Sequence, residues 1–228
     1  MRALSVFAVL VILLTAFNVE GGMVLKTEKD RLSYALGMDI GGSLKGQSID
    51  IDPDIFARGI KDVIEDKKSL LSDEEFQSTM TKFQQDMVAR QADQVKVIAE
   101  KNRAEGEAFL AGNKKKDGVV TTPSGLQYIV LNEGAGDSPK ATDIVSVHYK
   151  GMLIDGTEFD SSYRRGEPAS FPVNGVITGW TEALQLMKPG AKWKIFLPSD
   201  IAYGERGAGP LIGPNSTLIF EVELISIN

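Results

Sequence analysis

The chain has 228 residues, a 43% apolar fraction and a net charge of −6, which suits one or two folded domains rather than a disordered chain. No basic stripe follows a phosphate backbone, so nucleic-acid binding is disfavoured; the short run Lys114–Lys116 meets Asp117 and reads as solvated linker. There is no cysteine and a single histidine, His148, which removes disulfides, thiolate metal sites, cysteine nucleophiles, a lipid-acceptor cysteine and an ordinary hydrolytic triad; neither a metal nor a cofactor is expected.

Residues 1–22 read as an export signal or N-terminal anchor. Arg2 supplies the positive end, and Ala3 to Phe17 is almost wholly apolar. That stretch is shorter than the ~20 residues of a membrane-spanning helix. Cleavage after Ala16 and retention as an anchor both remain open, and either places the folded part outside the cytoplasm.

Glycine and proline then divide the chain. No proline lies between Asp54 and Thr122, and no glycine between Ile60 and Glu105; helix gives way to strands and turns after that. A first helix is predicted over Glu28 to Lys45, with Leu32, Leu36, Ile40 and Leu44 on one face and Gly37 and Gly41 one turn apart. A second starts at Asp52-Pro53, an N-cap followed by proline in the first turn. Its apolar face is Ile55, Phe56, Ile60, Val63 and Ile64. The third has a capping box from Ser72 to Glu75 and a hydrophobic staple from Leu71 to Phe76. Nothing stops it before about Gly112, a length of ~58 Å. Phe76, Met80, Phe83 and Met87 form a narrow stripe on its first part; beyond them the helix is polar on nearly all sides. Such a helical segment has a small core of its own. Pairing of two copies would enlarge it, while packing within one chain is the alternative.

From Val119 onward the pattern is an antiparallel sheet with one short helix. Strands are expected at Leu126–Leu131, Ile144–Leu153, Glu158–Ser161, Ser170–Val173, Lys192–Leu197 and Thr217–Ile227, and a helix at Thr178–Leu186, ended by Lys188-Pro189-Gly190. The class is α+β.

Aromatic residues recur in these elements: Tyr149 in "VSVHYKGML" (145–153), Phe159 in "DGTEFDSS" (155–162), Trp180 in "GVITGWTEAL" (175–184), Tyr203 in "FLPSDIAYG" (196–204) and Phe220 in "STLIFEVELISI" (216–227). An aromatic hollow with few polar groups suits holding a neutral, greasy piece of peptide out of water. A lone aromatic of this kind is more often core than site. In this order, from about Gly118 to Asn228, the runs resemble the FKBP-type peptidyl-prolyl cis-trans isomerases. The longer chain is similar to their Mip-like (macrophage infectivity potentiator-like) branch.

That resemblance implies an FKBP-like half-barrel sheet wrapped on one short helix, in residues 118–228. Ahead of it come a helical dimerisation domain at 23–71 and a long linker helix at 72–117. It implies rotation about the peptide bond before proline, in proline-containing peptides and unfolded exported proteins, within a bacterial periplasm or cell envelope. A homodimer and binding of rapamycin-like macrolides are also implied. Trp180 would form the floor under the proline ring, with Tyr149, Phe159 and Phe220 as walls and Val176 and Ile177 at one side. The Ile177 backbone N–H would face the ligand. Tyr203 would donate its hydroxyl to the substrate carbonyl. Asp160 would sit at the edge, oriented by Tyr149 and by Arg165 or its neighbour Arg164. Leu211 and Ile212 would border the cleft. The family often carries an aromatic where this chain has Ala169 and a histidine where it has Ala208, so the rim is expected to differ. His148 should alternate away from Tyr149 and be structural. The alternative function is a peptide-holding chaperone with little isomerase activity.

Overall fold

The computed structural model describes residues 24–228; the expected signal or anchor lies outside them. Two compact units divide the chain between Asp73 and Glu74.

In the first unit, helix α1 spans Glu28–Gly46 and starts at a capping box. The Thr27 hydroxyl accepts from the Asp30 N–H, and the Asp30 carboxylate accepts from the Thr27 N–H. Helix α2 spans Pro53–Ile64; the Asp52 carboxylate accepts from the Asp54 and Ile55 N–H groups, as its position before proline predicts. The expected apolar face of α1 is uncovered. None of its residues is buried, Leu32 and Leu36 are exposed, and no atom would meet a Cβ at Gly37 or Gly41. Ile55, Phe56, Ile60, Val63 and Ile64 of α2 are exposed as well.

Helix α3 spans Asp73–Asn113 without a break, 41 residues. Strands follow at Val120–Thr121 (β1), Gln127–Asn132 (β2), Ile144–Leu153 (β3) and Glu158–Ser161 (β4). After the one-turn helix α4 (Ser162–Arg165) come β5 (Ala169–Pro172), helix α5 (Thr178–Leu186), β6 (Lys192–Leu197) and β7 (Leu218–Ile227). The sheet is antiparallel in the order β1-β2-β6-β7-β3-β4, with β5 also on β3. Strands β3, β4 and β6 and helix α5 match the sequence pattern residue for residue; β2, β5 and β7 start one residue away from it. The two-residue β1, the α4 turn and the 3₁₀ turns at Val173–Gly175, Ser199–Ile201 and Gly204–Arg206 were not foreseen, because segments so short carry no periodicity.

Alternation in the strands builds the core. Val145, Val147 and Tyr149 of β3 face the same side as Ile195 and Leu197 of β6 and as Leu218, Phe220, Val222 and Leu224 of β7. Trp180, Ala183 and Leu184 of α5 close over them. The opposite face carries the Lys194–Glu221 and Lys192–Glu223 cross-strand ion pairs. There Phe196 is covered by Phe109 of α3, their rings 6.0 Å apart.

Candidate active site

A cleft of about 630 Å³ opens beside α5. Trp180 reaches it from the first turn of α5 and is 4% exposed. Three rings stand edge-on to its indole: Tyr149 at 5.2 Å, Phe220 at 5.2 Å and Phe171 at 6.1 Å. Phe159 is edge-on to Phe220 at 5.5 Å. Edge-to-face contacts fix each ring against its neighbour, so this wall is set before any guest arrives. The rings of Phe159 and Phe220 lie over bare backbone at Gly151 of β3, where a Cβ would come within 2.5 Å of the Phe159 ring and 2.8 Å of the Phe220 ring.

The side-chain oxygens of the cleft belong to Tyr149, Asp160 and Tyr203. The Tyr149 hydroxyl donates to Asp160 Oδ2, and Arg165 Nη1 donates to Asp160 Oδ1. Arg165 Nη2 also donates to the Tyr149 hydroxyl at 2.8 Å, and the guanidinium lies over the Tyr149 ring. The choice between the two arginines is thereby decided: Arg164 turns instead to Glu158, 3.3 Å away. The α4 turn makes the difference. Its N-cap Ser161 accepts from the Arg164 N–H, and consecutive side chains on one helical turn diverge.

Burial raises the Asp160 carboxyl, but the hydrogen bonds from Tyr149 and Arg165 outweigh it and hold the group below the usual carboxylate range. Burial and then the Asp160 charge push the Tyr203 hydroxyl upward. Burial and the bond to Asp160 do the same for Tyr149. At neutral pH the cleft therefore holds one carboxylate and two protonated phenols. Tyr203 is half-exposed, and its hydroxyl meets no hydrogen-bonding partner among the described residues.

Val176 and Ile177 line the cleft just before α5; the Ile177 carbonyl accepts from the Trp180 and Thr181 N–H groups and so starts the helix. Leu211 and Ile212 line it from the loop after Tyr203, with Ala208, Gly209 and Pro210. Arg165 acts on the cleft through Asp160 and Tyr149 rather than lining it. Phe171 was missed. Ala169 and Phe171 lie two apart in β5 and are its more buried positions, too short an alternation to single out the ring. Ala169 packs against the core and does not line the cleft, whereas Ala208 does line it. His148 points the other way, stacked on Tyr163 with Nδ1 2.9 Å from the Ser162 hydroxyl. No group of side chains among the described residues could hold a metal ion.

Residues 29–130 match the family model of the domain amino terminal to FKBP-type peptidyl-prolyl isomerases, and residues 136–225 match that of the FKBP-type peptidyl-prolyl cis-trans isomerases themselves. The chain is 47% identical to the outer membrane protein MIP of Legionella longbeachae, over 93% of this chain and 91% of that one. It is 44% identical to the peptidyl-prolyl cis-trans isomerase Mip of Coxiella burnetii, over 94% of each. The crystal structure of FkpA from Escherichia coli superposes with a TM-score of 0.76 at 42% identity, covering 90% of this chain and 99% of that one. An aromatic cleft on an α5-wrapped antiparallel sheet, behind a helical segment shared with these relatives, places the chain in the FKBP-type peptidyl-prolyl cis-trans isomerase family, on its Mip- and FkpA-like branch.

Proposed function

We propose that the prolyl ring of an Xaa-Pro segment sits over Trp180, walled by Tyr149, Phe159, Phe171 and Phe220, and that this cleft favours the twisted amide over the planar one. Rotation about the bond is opposed by ~18–20 kcal/mol of lost resonance, and the uncatalysed exchange takes on the order of tens to hundreds of seconds. Water solvates the planar, polar amide better than the twisted one. A cleft that excludes water removes that advantage, which is differential binding of the transition state. Tyr203, protonated at neutral pH, donates to the substrate carbonyl, and the Ile177 N–H donates to the peptide beyond the ring. Asp160, fixed by Tyr149 and Arg165, shapes the edge and needs no proton transfer. Val176, Leu211 and Ile212 complete the apolar contact, and rapamycin-like macrolides would compete for the same surface. The observation that carries this reading is the cage of edge-on rings around one cleft whose side-chain oxygens, among the described residues, are those of Tyr149, Asp160 and Tyr203.

The same reading extends to the whole chain. The clients are unfolded proteins exported to the bacterial periplasm or cell envelope; the apolar N-terminal segment and the name of the Legionella relative support this. Residues 23–71 form the dimerisation segment, 72–117 the linker helix and 118–228 the isomerase domain. The uncovered apolar faces of α1 and α2 support pairing with a second copy.

Refolding tests the proposal. With the protein present in catalytic amount, the slow phase of a client limited by a cis proline speeds up, and a client lacking proline refolds at its own rate. Equal effects on both clients, or on neither, would contradict it.

A further inference from the structure

The loop between β6 and β7 has a cleft side and a helix side. Its tip, Ala208 to Ile212, lines the cleft and is closed on itself: the Ala208 N–H donates to the Ile212 carbonyl at 2.8 Å and the Ile212 N–H returns to Ala208 at 3.2 Å. Its neck is closed where the Asn215 N–H donates to the Gly204 carbonyl, 2.8 Å, directly after Tyr203. Both sides of that neck are held by α3. Asn102 Nδ2 donates to the Pro214 carbonyl at 2.8 Å and lies 3.4 Å from the Ser216 hydroxyl. Asn215 Nδ2 faces the Ala99 carbonyl at 3.4 Å, and Arg103 reaches Glu205 at 3.4 Å.

Two features say that this contact is demanding. Gly106 sits inside a long helix, where glycine costs about 1 kcal/mol relative to alanine. A Cβ there would stand 2.2 Å from Thr217 Oγ1, so the helix approaches the neck as closely as a bare backbone allows. Asn215 has φ 55° and is 4% exposed, and its side-chain oxygen is buried without a partner. A left-handed backbone and an unsatisfied buried acceptor are both costly. Glycine would supply the backbone conformation without the buried oxygen, but it has no amide to turn toward Ala99.

We propose that Asn102 of α3, with Arg103 and Asn215, is a positioning residue for the isomerase. Through the loop neck it sets Tyr203 and the Leu211–Ile212 wall in the cleft from behind. The helix thereby does more than connect units: part of the active-site wall is built against it. Placement of such groups to within a fraction of an ångström governs rate, and a loop with few contacts of its own opens locally unless it is tied down. This inference rests on the cleft being the isomerase site.

The other end of the docking contact supplies the control. Asn113, 1% exposed, donates to Gln127 Oε1 on β2 at 3.0 Å, and Gln127 Nε2 donates to the Leu110 carbonyl. This pair holds α3 to the sheet without touching the loop. In the full chain, Asn102→Ala is expected to lower kcat/KM on proline tetrapeptides by on the order of threefold to tenfold. It should also change the discrimination among residues preceding proline and move the amide resonances of Ala208 to Ile212. Asn102→Gln, which keeps the donor, restores part of the loss. Arg103→Ala, at an exposed site that leaves the fold intact, shifts the same readouts less. Asn113→Ala lowers the melting temperature and leaves kcat/KM and discrimination unchanged well below it. The proposal is overturned if Asn102→Ala and Arg103→Ala keep wild-type kcat/KM and discrimination, or if Asn113→Ala reproduces their loss. An inactive wild type would instead sink the assignment of the cleft.

Discussion

Asp160 is the one ionised group in the cleft, and its state sets the pH behaviour. Its folded pKa is depressed, so the stability it contributes is fully present above its unfolded value of about 3.9 and is lost as pH falls through the lower folded value. Tyr149 and Tyr203 move the other way, above their ordinary value near 10. Isomerisation measured by NMR is therefore expected to be flat between about pH 5 and 9, and a bell with a midpoint near neutrality would point to acid–base catalysis. Tyr203→Phe removes one donor and no apolar surface. Its kcat/KM should fall about threefold to tenfold, the worth of a single hydrogen bond. At this scale the aromatic residues and Asp160 were legible because each stands in a recognisable run. Of the two arginines beside it, Arg165 was the matching position with Arg164 as a substitute, and it is the α4 turn, too short to read from sequence, that sends Arg164 to Glu158 instead.

Among the elements, β3 and its neighbours β4 and β7 carry the geometry of the wall. Gly151 of β3 is where two rings meet the backbone. Gly151→Ala places a methyl inside both ring contacts, and overpacking of this kind costs about 1–3 kcal/mol. Denaturant unfolding should register that loss, and the displaced Phe159 and Phe220 should lower kcat/KM with it; a variant as stable and active as wild type would show that the rings are free to move. The long strands were legible from alternation, which β3 keeps over its whole length with Val145, Val147 and Tyr149 inward and Ser146, His148 and Lys150 outward. Phe171 escaped because β5 is short and its inward positions were read only as strand. The docking of α3 on the β6–β7 loop escaped because Asn102 and Asn215 are far apart in sequence and neither shows a periodicity.

For the whole molecule, the two compact units part between Asp73 and Glu74, at the start of α3, whereas the change from glycine-free and proline-free to turn-rich sequence comes only toward and after the end of that helix. The amphipathic stripes of α1 and α2 were legible, yet what covers them was not, because a pattern of apolar residues names a buried face and not its partner. The proposed dimer predicts that the chain sediments at twice its own mass and that Ile60→Glu, in the exposed face of α2, shifts it toward the monomer. A chain that sediments as a monomer at all concentrations would remove the pairing. It would leave the chemistry of the cleft untouched, since every residue assigned to it lies within one chain. That chemistry is tested most directly by NMR exchange spectroscopy on a proline tetrapeptide, with no coupled protease. The account predicts faster cis–trans exchange with wild-type protein, a strong loss with Trp180→Ala at a temperature where the variant stays folded, and no covalent adduct at any time. Exchange at the uncatalysed rate with folded wild-type protein, or undiminished exchange with folded Trp180→Ala, would contradict it.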